Sequence, residues 1–443
     1  MIPTPPQKET TAEPGSVVSR LLGLFKHQVA VNVGTVFSGR MAGRLVTLLT
    51  TWVLVRNLAP EEYGVFSVID MIVGSTTGFL TEGLNRGMVK LVSENREEPW
   101  KAWYIAKAVF KVELVYGLIL AGALYLGAEA MAVHYFRKPH LAPFLKAASV
   151  GIIGFLLYFY RNALFSAWKR FRMDAIYNTV QPCLYLAFVL ALLAFGWFGI
   201  RVVTWGYVGV PFLVTVFALF QLGRGADPSR GRKLPGIWSQ LTRTYVWLLG
   251  YHICLWITNQ AHMLILGRYF PLHQVGLYGF AYKLYLVSTM IADATKVVLL
   301  PTFAGQTRAQ TKEVFIRTTK AVCLVGLLFW MAIPLVGPVL RLVVGEEYAG
   351  TVPLLQVLLF GTGLFTAMAP ASVVLLGYGR FKTLLWGGII FVAVNLAGHW
   401  LVTIRYGAMG AAWVQVGSSF VCDAVLTVFA VKLLFGSGER ERR

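Results

Sequence analysis

Long apolar runs, separated by short polar connections, dominate the pattern of hydrophobic and polar positions along this chain. Most of these runs are about 20 residues or longer, the length a helix needs to cross the hydrocarbon core of a bilayer. The pattern therefore predicts an all-α polytopic membrane protein with about twelve transmembrane helices. The predicted spans are residues 30–58, 62–93, 104–127, 141–166, 174–197, 202–223, 242–270, 274–304, 314–344, 350–376, 382–404 and 408–435.

The longest polar connection divides these spans into two groups of six. It is rich in glycine, proline and basic residues, which is typical of a linker between domains. We therefore predict two six-helix lobes flanked by polar segments. The predicted boundaries are 1–28 for a polar tail, 29–223 for the N-lobe, 224–241 for the basic linker, 242–435 for the C-lobe and 436–443 for a basic tail.

Composition supports the membrane assignment, and the distribution of charge predicts the orientation of the chain in the membrane. The 443 residues are 57% hydrophobic and only 14% charged, which excludes an ordinary soluble domain. Of the 40 Lys and Arg residues, 28 fall on the side of the membrane that holds both termini, 8 on the other side and 4 within spans. Basic residues collect in cytoplasmic loops, so both termini are predicted to be cytoplasmic. The net charge of +20 then gives no reason to expect a nucleic-acid partner.

A short repeat marks the hinge that follows the first span of each half. At a shift of 212 positions, Arg56 falls on Arg268 and Gly64 falls on Gly276. Six spans separate the two hinges, so both lie on the same side of the membrane. The halves are therefore predicted to be parallel repeats about an axis along the membrane normal, a transporter plan that places the binding site between the halves.

The first hinge, Leu-x-Arg-x-Leu-x-Pro-Glu-Glu-Tyr-Gly-x-Phe-Ser over residues 54–67, resembles that of Wzx-type polysaccharide flippases. Residues 274–278, 281–284 and 298–301 look like the matching hairpin in the second half of such proteins. MATE drug exporters and lipid II flippases belong to the same superfamily. The resemblance implies two pseudo-symmetric lobes forming a V around a central cavity, alternating access, and movement of lipid-linked sugars from the cytoplasmic to the outer leaflet.

Four cations in the interior of predicted spans are assigned to neither side of the membrane by this count, and because charge there is costly a functional role is the default expectation. These cations are Arg40, Arg44, Lys283 and Lys296. We predict that they bind substrate, because a guanidinium forms bidentate hydrogen bonds with the oxygens of a lipid diphosphate. Arg44 lies near the middle of its span, too deep to reach the interface easily. The alternative is a structural ion pair, for which Asp70 and Glu82 are available.

Three acids within spans are candidate sites for coupling to a proton or to Na⁺. These acids are Asp70, Glu82 and Asp293. Local ion pairs are the alternative for two of them, since Lys296 lies three residues after Asp293 and Arg86 lies four residues after Glu82. The sequence leaves both interpretations open.

The remaining polar positions indicate no metal or cofactor. Glu113, two residues after Lys111 and near an inner helix end, is interpreted as half of a solvated ion pair. No His or Cys has the spacing of metal ligands, so no metal site is predicted. No glycine-rich phosphate loop is present, and ATP-driven transport by this chain is not expected. The prediction is no cofactor apart from a coupling ion.

The leading hypothesis is a flippase in the cytoplasmic membrane of a bacterium or archaeon. Its partners would be a polyprenyl-diphosphate-linked sugar, membrane lipids and other proteins of polysaccharide assembly. One alternative is a cation-coupled MATE-type drug exporter, although cationic ligands would favour acids rather than arginines in the first helix. A less favoured alternative is an integral-membrane enzyme of the polysaccharide pathway. Glu61 and Glu62 at the hinge have no histidine or third acid beside them in sequence, so the chain is predicted not to be an enzyme.

Overall fold

The computed structural model describes residues 38–39, 41–223, 234, 236–290 and 308–436. Within these ranges the chain forms twelve long α-helices and no β-strand. In chain order they are α1 (41–57), α2 (Pro60–Glu94), α3 (Pro99–Ala130), α4 (Ala142–Ala167), α5 (Phe171–Ala194), α6 (Ile200–Gly223), α7 (Ile237–Tyr269), α8 (Leu272–Ser288), α9 (Arg308–Val344), α10 (Thr351–Gly377), α11 (Phe381–Gly398) and α12 (Ile404–Phe435). Each helix overlaps one predicted span. The predicted N-terminal tail, most of the linker and the end of span eight lie outside the described residues.

Length and hydropathy identify this as a multi-pass membrane protein. In the part of the chain that the structure describes, seven helical segments are long and apolar enough to cross a membrane. An eighth qualifies if the two parts of α2, inclined at 46° to each other, are counted together. One of the seven, Phe381–Phe435, joins α11 to α12 through the π-helical turn His399–Thr403. The all-α polytopic prediction is confirmed.

The hinge between α1 and α2 is short because its residues stop one helix and start the next. Pro60 occupies the first position of α2, where its missing N–H leaves no helical hydrogen bond unmade. The backbone N–H of Ala59 donates to Oε2 of Glu62 at 3.3 Å, which completes the start of the helix. Glu62 therefore has a structural role at this hinge.

Three clusters of buried hydrophobic side chains show how the lobes are joined. Near the hinges, one cluster contains residues of both lobes, including Leu54 and Phe280. At the opposite ends of the helices the clusters are separate, with Met88 in the N-lobe and Val374 in the C-lobe. The lobes therefore meet on the side of the hinges and part on the other side, as the arms of a V do.

The two hinges contact each other at Gly64 and Gly276, the glycines that the repeat aligns. A Cβ atom on Gly276 would overlap the carbonyl oxygen of Pro60 and lie 3.0 Å from the Gly64 nitrogen. A Cβ atom on Gly64 would overlap the carbonyl oxygen of Leu272. The obstructing atoms belong to the backbone, so no side-chain rotation can make room. Glycine at both positions lets α2 and α8 approach this closely.

Four hydrogen bonds between the lobes flank this glycine contact. They run from Trp52 to the Val343 carbonyl, from Tyr348 to the Leu58 carbonyl, from Arg268 to the Tyr135 carbonyl and from Lys138 to the Gly267 carbonyl, with donor–acceptor distances between 2.6 and 3.0 Å. We call the Gly64–Gly276 contact and these four bonds the hinge seal. Each lobe contributes two of the four hydrogen-bond donors, so both lobes stabilise the hinge seal.

Candidate functional site

A cavity of about 870 Å³ lies next to the hinge seal, mainly within the N-lobe. Five helices of that lobe form its wall (α1, α2, α4, α5 and α6), and Lys283 of α8 is the C-lobe residue in its lining. The lining extends from Leu54 and Phe66, near the hinges, to Val89 and Ser166, near the far ends of α2 and α4. This volume is within the usual range for sites that bind a sizeable small molecule.

The lining of this cavity is positively charged. Its described charged side chains are Arg44, Arg86, Lys283 and Asp70, three cations against one carboxylate. Low-dielectric walls strengthen the attraction of such a lining for an anion. Arg44 is exposed in the cavity and forms no ion pair with any carboxylate whose side chain the structure describes. The pair between Arg44 and Asp70 that the sequence left open is therefore not formed.

Asp70 on α2 connects three helices at the hinge end of the cavity. Its Oδ2 forms an ion pair with Nζ of Lys283 at 2.6 Å, and its Oδ1 accepts a hydrogen bond from the hydroxyl of Tyr207. The two charged side chains are only 26% and 29% exposed, so water screens their attraction less than at an open surface. The pair ties α2 of the N-lobe to α8 of the C-lobe.

Removing one member of this pair is expected to weaken the contact between the lobes. Asp70→Asn leaves the Lys283 ammonium without its anionic partner, Lys283→Met leaves the Asp70 carboxylate without its cationic partner, and the double variant removes both charges. Paired charges of this kind couple by about 0.5–3 kcal/mol. The double variant should therefore lose less stability than the two single variants added together. Thermal unfolding of the wild type and the three variants measures this coupling, and strictly additive losses would contradict it.

A further cation lies directly behind the cavity wall. Arg161 of α4 is fully buried, and its Nη2 donates to Oδ1 of Asn162 at 2.9 Å. Its guanidinium carbon lies 4.8 Å from the ring centroid of Tyr158. Asn162 and Tyr158 both line the cavity, so the Arg161 guanidinium holds two residues of its wall in place. Arg161 lies inside predicted span 141–166, where a cation is costly, so its position is a sequence signal that could have identified it.

The uncharged part of the lining is rich in aromatic rings and amides. The ring of Tyr207 contacts those of Phe66, Phe155 and Tyr185, with centroid distances between 5.0 and 5.9 Å. We call these four rings the aromatic floor. The amides in the lining belong to Asn85, Asn162, Asn178 and Gln181. Ring faces can pack against apolar surfaces, and amides exchange hydrogen bonds with hydroxyl groups, so this region suits a polyhydroxylated molecule.

The structure brings three of the seven predicted site residues to this cavity, and these are Arg44, Asp70 and Lys283. The remaining four cannot be compared with it. Arg40, Asp293 and Lys296 lie outside the described residues, and only the backbone of Glu82 is described, within α2. The substrate-binding and ion-coupling roles of all seven stay predictions.

The interpretation of Glu113 as a solvated ion-pair partner is wrong. Glu113 is fully buried, whereas Lys111 is exposed. Side chains two positions apart on a helix point to nearly opposite faces. Lys111 therefore lies on the exposed face of α3, and Glu113 lies on the face that packs against the rest of the N-lobe.

One protein-family model matches most of the chain. Residues 53–353, about two thirds of the sequence, match the family described as polysaccharide biosynthesis protein. The succinoglycan biosynthesis transport protein ExoT of Rhizobium meliloti (strain 1021) is 25% identical over 393 residues, which cover 87% of this chain and 76% of that protein. The matched family region includes both hinges and Lys283.

Solved structures with a similar fold are membrane transporters. An inward-facing multidrug resistance MATE family transporter of the MOP superfamily has a TM-score of 0.75 and 13% identity, covering 90% of this chain and 98% of that chain. The lipid II flippase MurJ in an inward closed conformation has a TM-score of 0.74 and 14% identity, covering 91% of this chain and 87% of that chain. At these sequence identities the structural similarity shows a shared two-lobe fold but does not identify the substrate.

Proposed function

Because the chain belongs to the polysaccharide biosynthesis protein family, we propose that it moves lipid-linked oligosaccharide or polysaccharide units across the membrane by alternating access. The observation that carries this proposal is the positively charged cavity, closed at one end by the hinge seal and flanked at the other by lobes with separate cores. The similarity to ExoT, a succinoglycan biosynthesis transport protein, supports the same class of substrate. The fold shared with a lipid II flippase supports the same kind of movement.

The substrate that fits this cavity has a negatively charged end and a sugar end. Arg44 offers a planar fork to a diphosphate, and Lys283 adds a compact positive charge. The aromatic floor and the amides suit sugar rings with their hydroxyl groups. A polyprenyl tail needs no polar pocket, because it is apolar enough to stay in the lipid.

The charge count assigns a direction to this movement. With both termini in the cytoplasm, the hinge seal faces outward and the parted lobes face the cytoplasm. Substrate would then enter from the inner leaflet and leave to the outer leaflet of a bacterial or archaeal cytoplasmic membrane. The chain would act as a carrier rather than an enzyme, without a cofactor other than a coupling ion, beside proteins that build and consume the lipid-linked unit.

Proteoliposomes containing the purified protein are expected to transfer a polyprenyl-diphosphate-linked oligosaccharide from one leaflet to the other. The same oligosaccharide without its lipid, and a cationic dye, serve as parallel substrates. Transfer of the lipid-linked sugar alone supports the proposal. Transport of the dye without any movement of the lipid-linked sugar would overturn it in favour of a drug exporter.

A MATE-type exporter is the alternative suggested by the shared fold. A cationic drug would need uncompensated negative charge in the cavity. Among the described lining side chains, Asp70 is the one carboxylate, and Lys283 already neutralises it. The charge of the cavity therefore favours the flippase.

A further inference from the structure

Glu113, in the middle of α3, is a carboxylate sealed inside the N-lobe. It is 0% exposed, and neither of its carboxyl oxygens has a hydrogen-bond partner among the described residues. One turn further along α3, Gly117 lies so close to α4 that an added Cβ would be 2.8 Å from Cδ1 of Leu156. This close packing keeps water away from Glu113.

The groups around Glu113 offer no countercharge. The nearby ionisable group on α4 is Tyr160, whose hydroxyl donates to the carbonyl of Ala106 at 3.0 Å instead. On α3 itself, the hydroxyl of Tyr116 donates to the carbonyl of Thr76 on α2. No cation among the described side chains of α2, α3 or α4 forms an ion pair with Glu113.

An ionised carboxylate in such surroundings would be very costly, because burial removes its hydration without supplying a partner. The protonated acid is uncharged and can be buried at a much lower cost. Asp70, which is partly buried, is paired with Lys283, and Glu129 is exposed to water and also paired with Lys146. These surroundings therefore favour the neutral, protonated form of Glu113 over the carboxylate.

We propose that Glu113 is a proton-binding site that couples the transport cycle to a proton gradient. This inference rests on the proposed function and identifies the proton as the ion that drives transport. A metal cation such as Na⁺ would require several oxygen ligands, whereas the described oxygens near Glu113 are engaged with the backbone. One isolated carboxyl group suits a proton.

Helix α4 provides the connection between this site and the cavity. Tyr160 lies toward Glu113, while its neighbours Phe159 and Asn162 line the cavity. Movement of α4 as substrate enters or leaves would change the packing against α3 and admit water to Glu113. The proton would be held while the hinge seal is closed and released once water can solvate the carboxylate.

Infrared spectroscopy of the purified protein tests proton binding without requiring transport. The difference spectrum between the wild type and Glu113→Gln at neutral pH should contain the carbonyl band of a protonated carboxyl group. The matched control is Glu129→Gln on the same helix, whose exposed carboxylate pairs with Lys146 and should give a carboxylate band. A carboxylate band in the Glu113 difference spectrum would overturn the proposal.

Flipping rates in vesicles with and without a pH gradient test the coupling. A gradient should accelerate the wild type and Glu129→Gln, whereas Glu113→Gln and the apolar Glu113→Met should flip at the same rate with and without it. A full gradient response in both Glu113 variants would overturn the coupling role while leaving the flippase in place. Failure of the wild type to move any lipid-linked sugar would instead contradict the proposed function.

Discussion

Gly276→Ala is expected to reduce transport roughly 5- to 150-fold by preventing the hinge seal from closing. The added methyl group would overlap the carbonyl oxygen of Pro60, where only backbone atoms could yield. Inserting a methyl group into a packed contact costs about 1–3 kcal/mol. A change of that size shifts a two-state equilibrium roughly 5- to 150-fold. Helix α8 would then lie farther from α2, and the hinge side would stay open.

Spin labels at Arg56 and Glu346 can measure this opening, because both residues are exposed and belong to opposite lobes at the hinge. The four native cysteines would first be replaced. Gly209→Ala is the matched control, since a Cβ on this α6 glycine meets nothing within 4 Å. The label separation should increase in Gly276→Ala and stay unchanged in Gly209→Ala. Wild-type separation and transport in Gly276→Ala would show that the glycine contact is not needed for closure.

Arg44→Ala is expected to weaken binding of the lipid-linked diphosphate roughly 10- to 150-fold. Hydrogen bonds to charged groups contribute about 1.5–3 kcal/mol, and the Arg44 guanidinium can form two of them with phosphate oxygens. No described carboxylate holds this side chain in a structural pair, so the loss should fall on binding rather than folding. Arg44→Lys keeps the charge but lacks the planar fork, and should give an intermediate affinity.

Two measurements separate binding from general loss of function. The first is the affinity of the purified variants for the lipid-linked diphosphate and for the same lipid without phosphate, and the preference for the diphosphate should be smaller in Arg44→Ala than in the wild type. The second is surface-glycan display, at matched expression, in cells that depend on this protein. Arg170→Ala removes an equal charge outside the described cavity lining and should behave as the wild type. Unchanged glycan display in Arg44→Ala would rule out its role as a phosphate ligand.

The sequence was sufficient for the architecture because membrane helices carry a strong local signal. Long apolar runs, the short hinge before Pro60 and the repeat that aligns Gly64 with Gly276 are all visible without structural information. Arg44 was also identifiable, since a cation in the middle of an apolar run needs a reason to be there.

The contacts that the sequence did not predict are those between distant helices. Lys283 has no acidic residue within one turn on its own helix, and its partner Asp70 comes from the other lobe. The i, i+2 spacing of Lys111 and Glu113 suggests proximity in the sequence, whereas helix geometry points the two side chains away from each other. Local spacing limits which neighbours on one helix can meet, but it does not reveal which helices pack together.

Gly64 and Gly276 occupy equivalent positions in the two copies of the repeat, and in the folded protein they meet each other. If the repeat arose by duplication of an ancestral half, each copy became part of the other copy's surroundings. A larger side chain accepted in one half would have met the backbone of the other half. At this seam a larger side chain in either half would then require a compensating change in the other half.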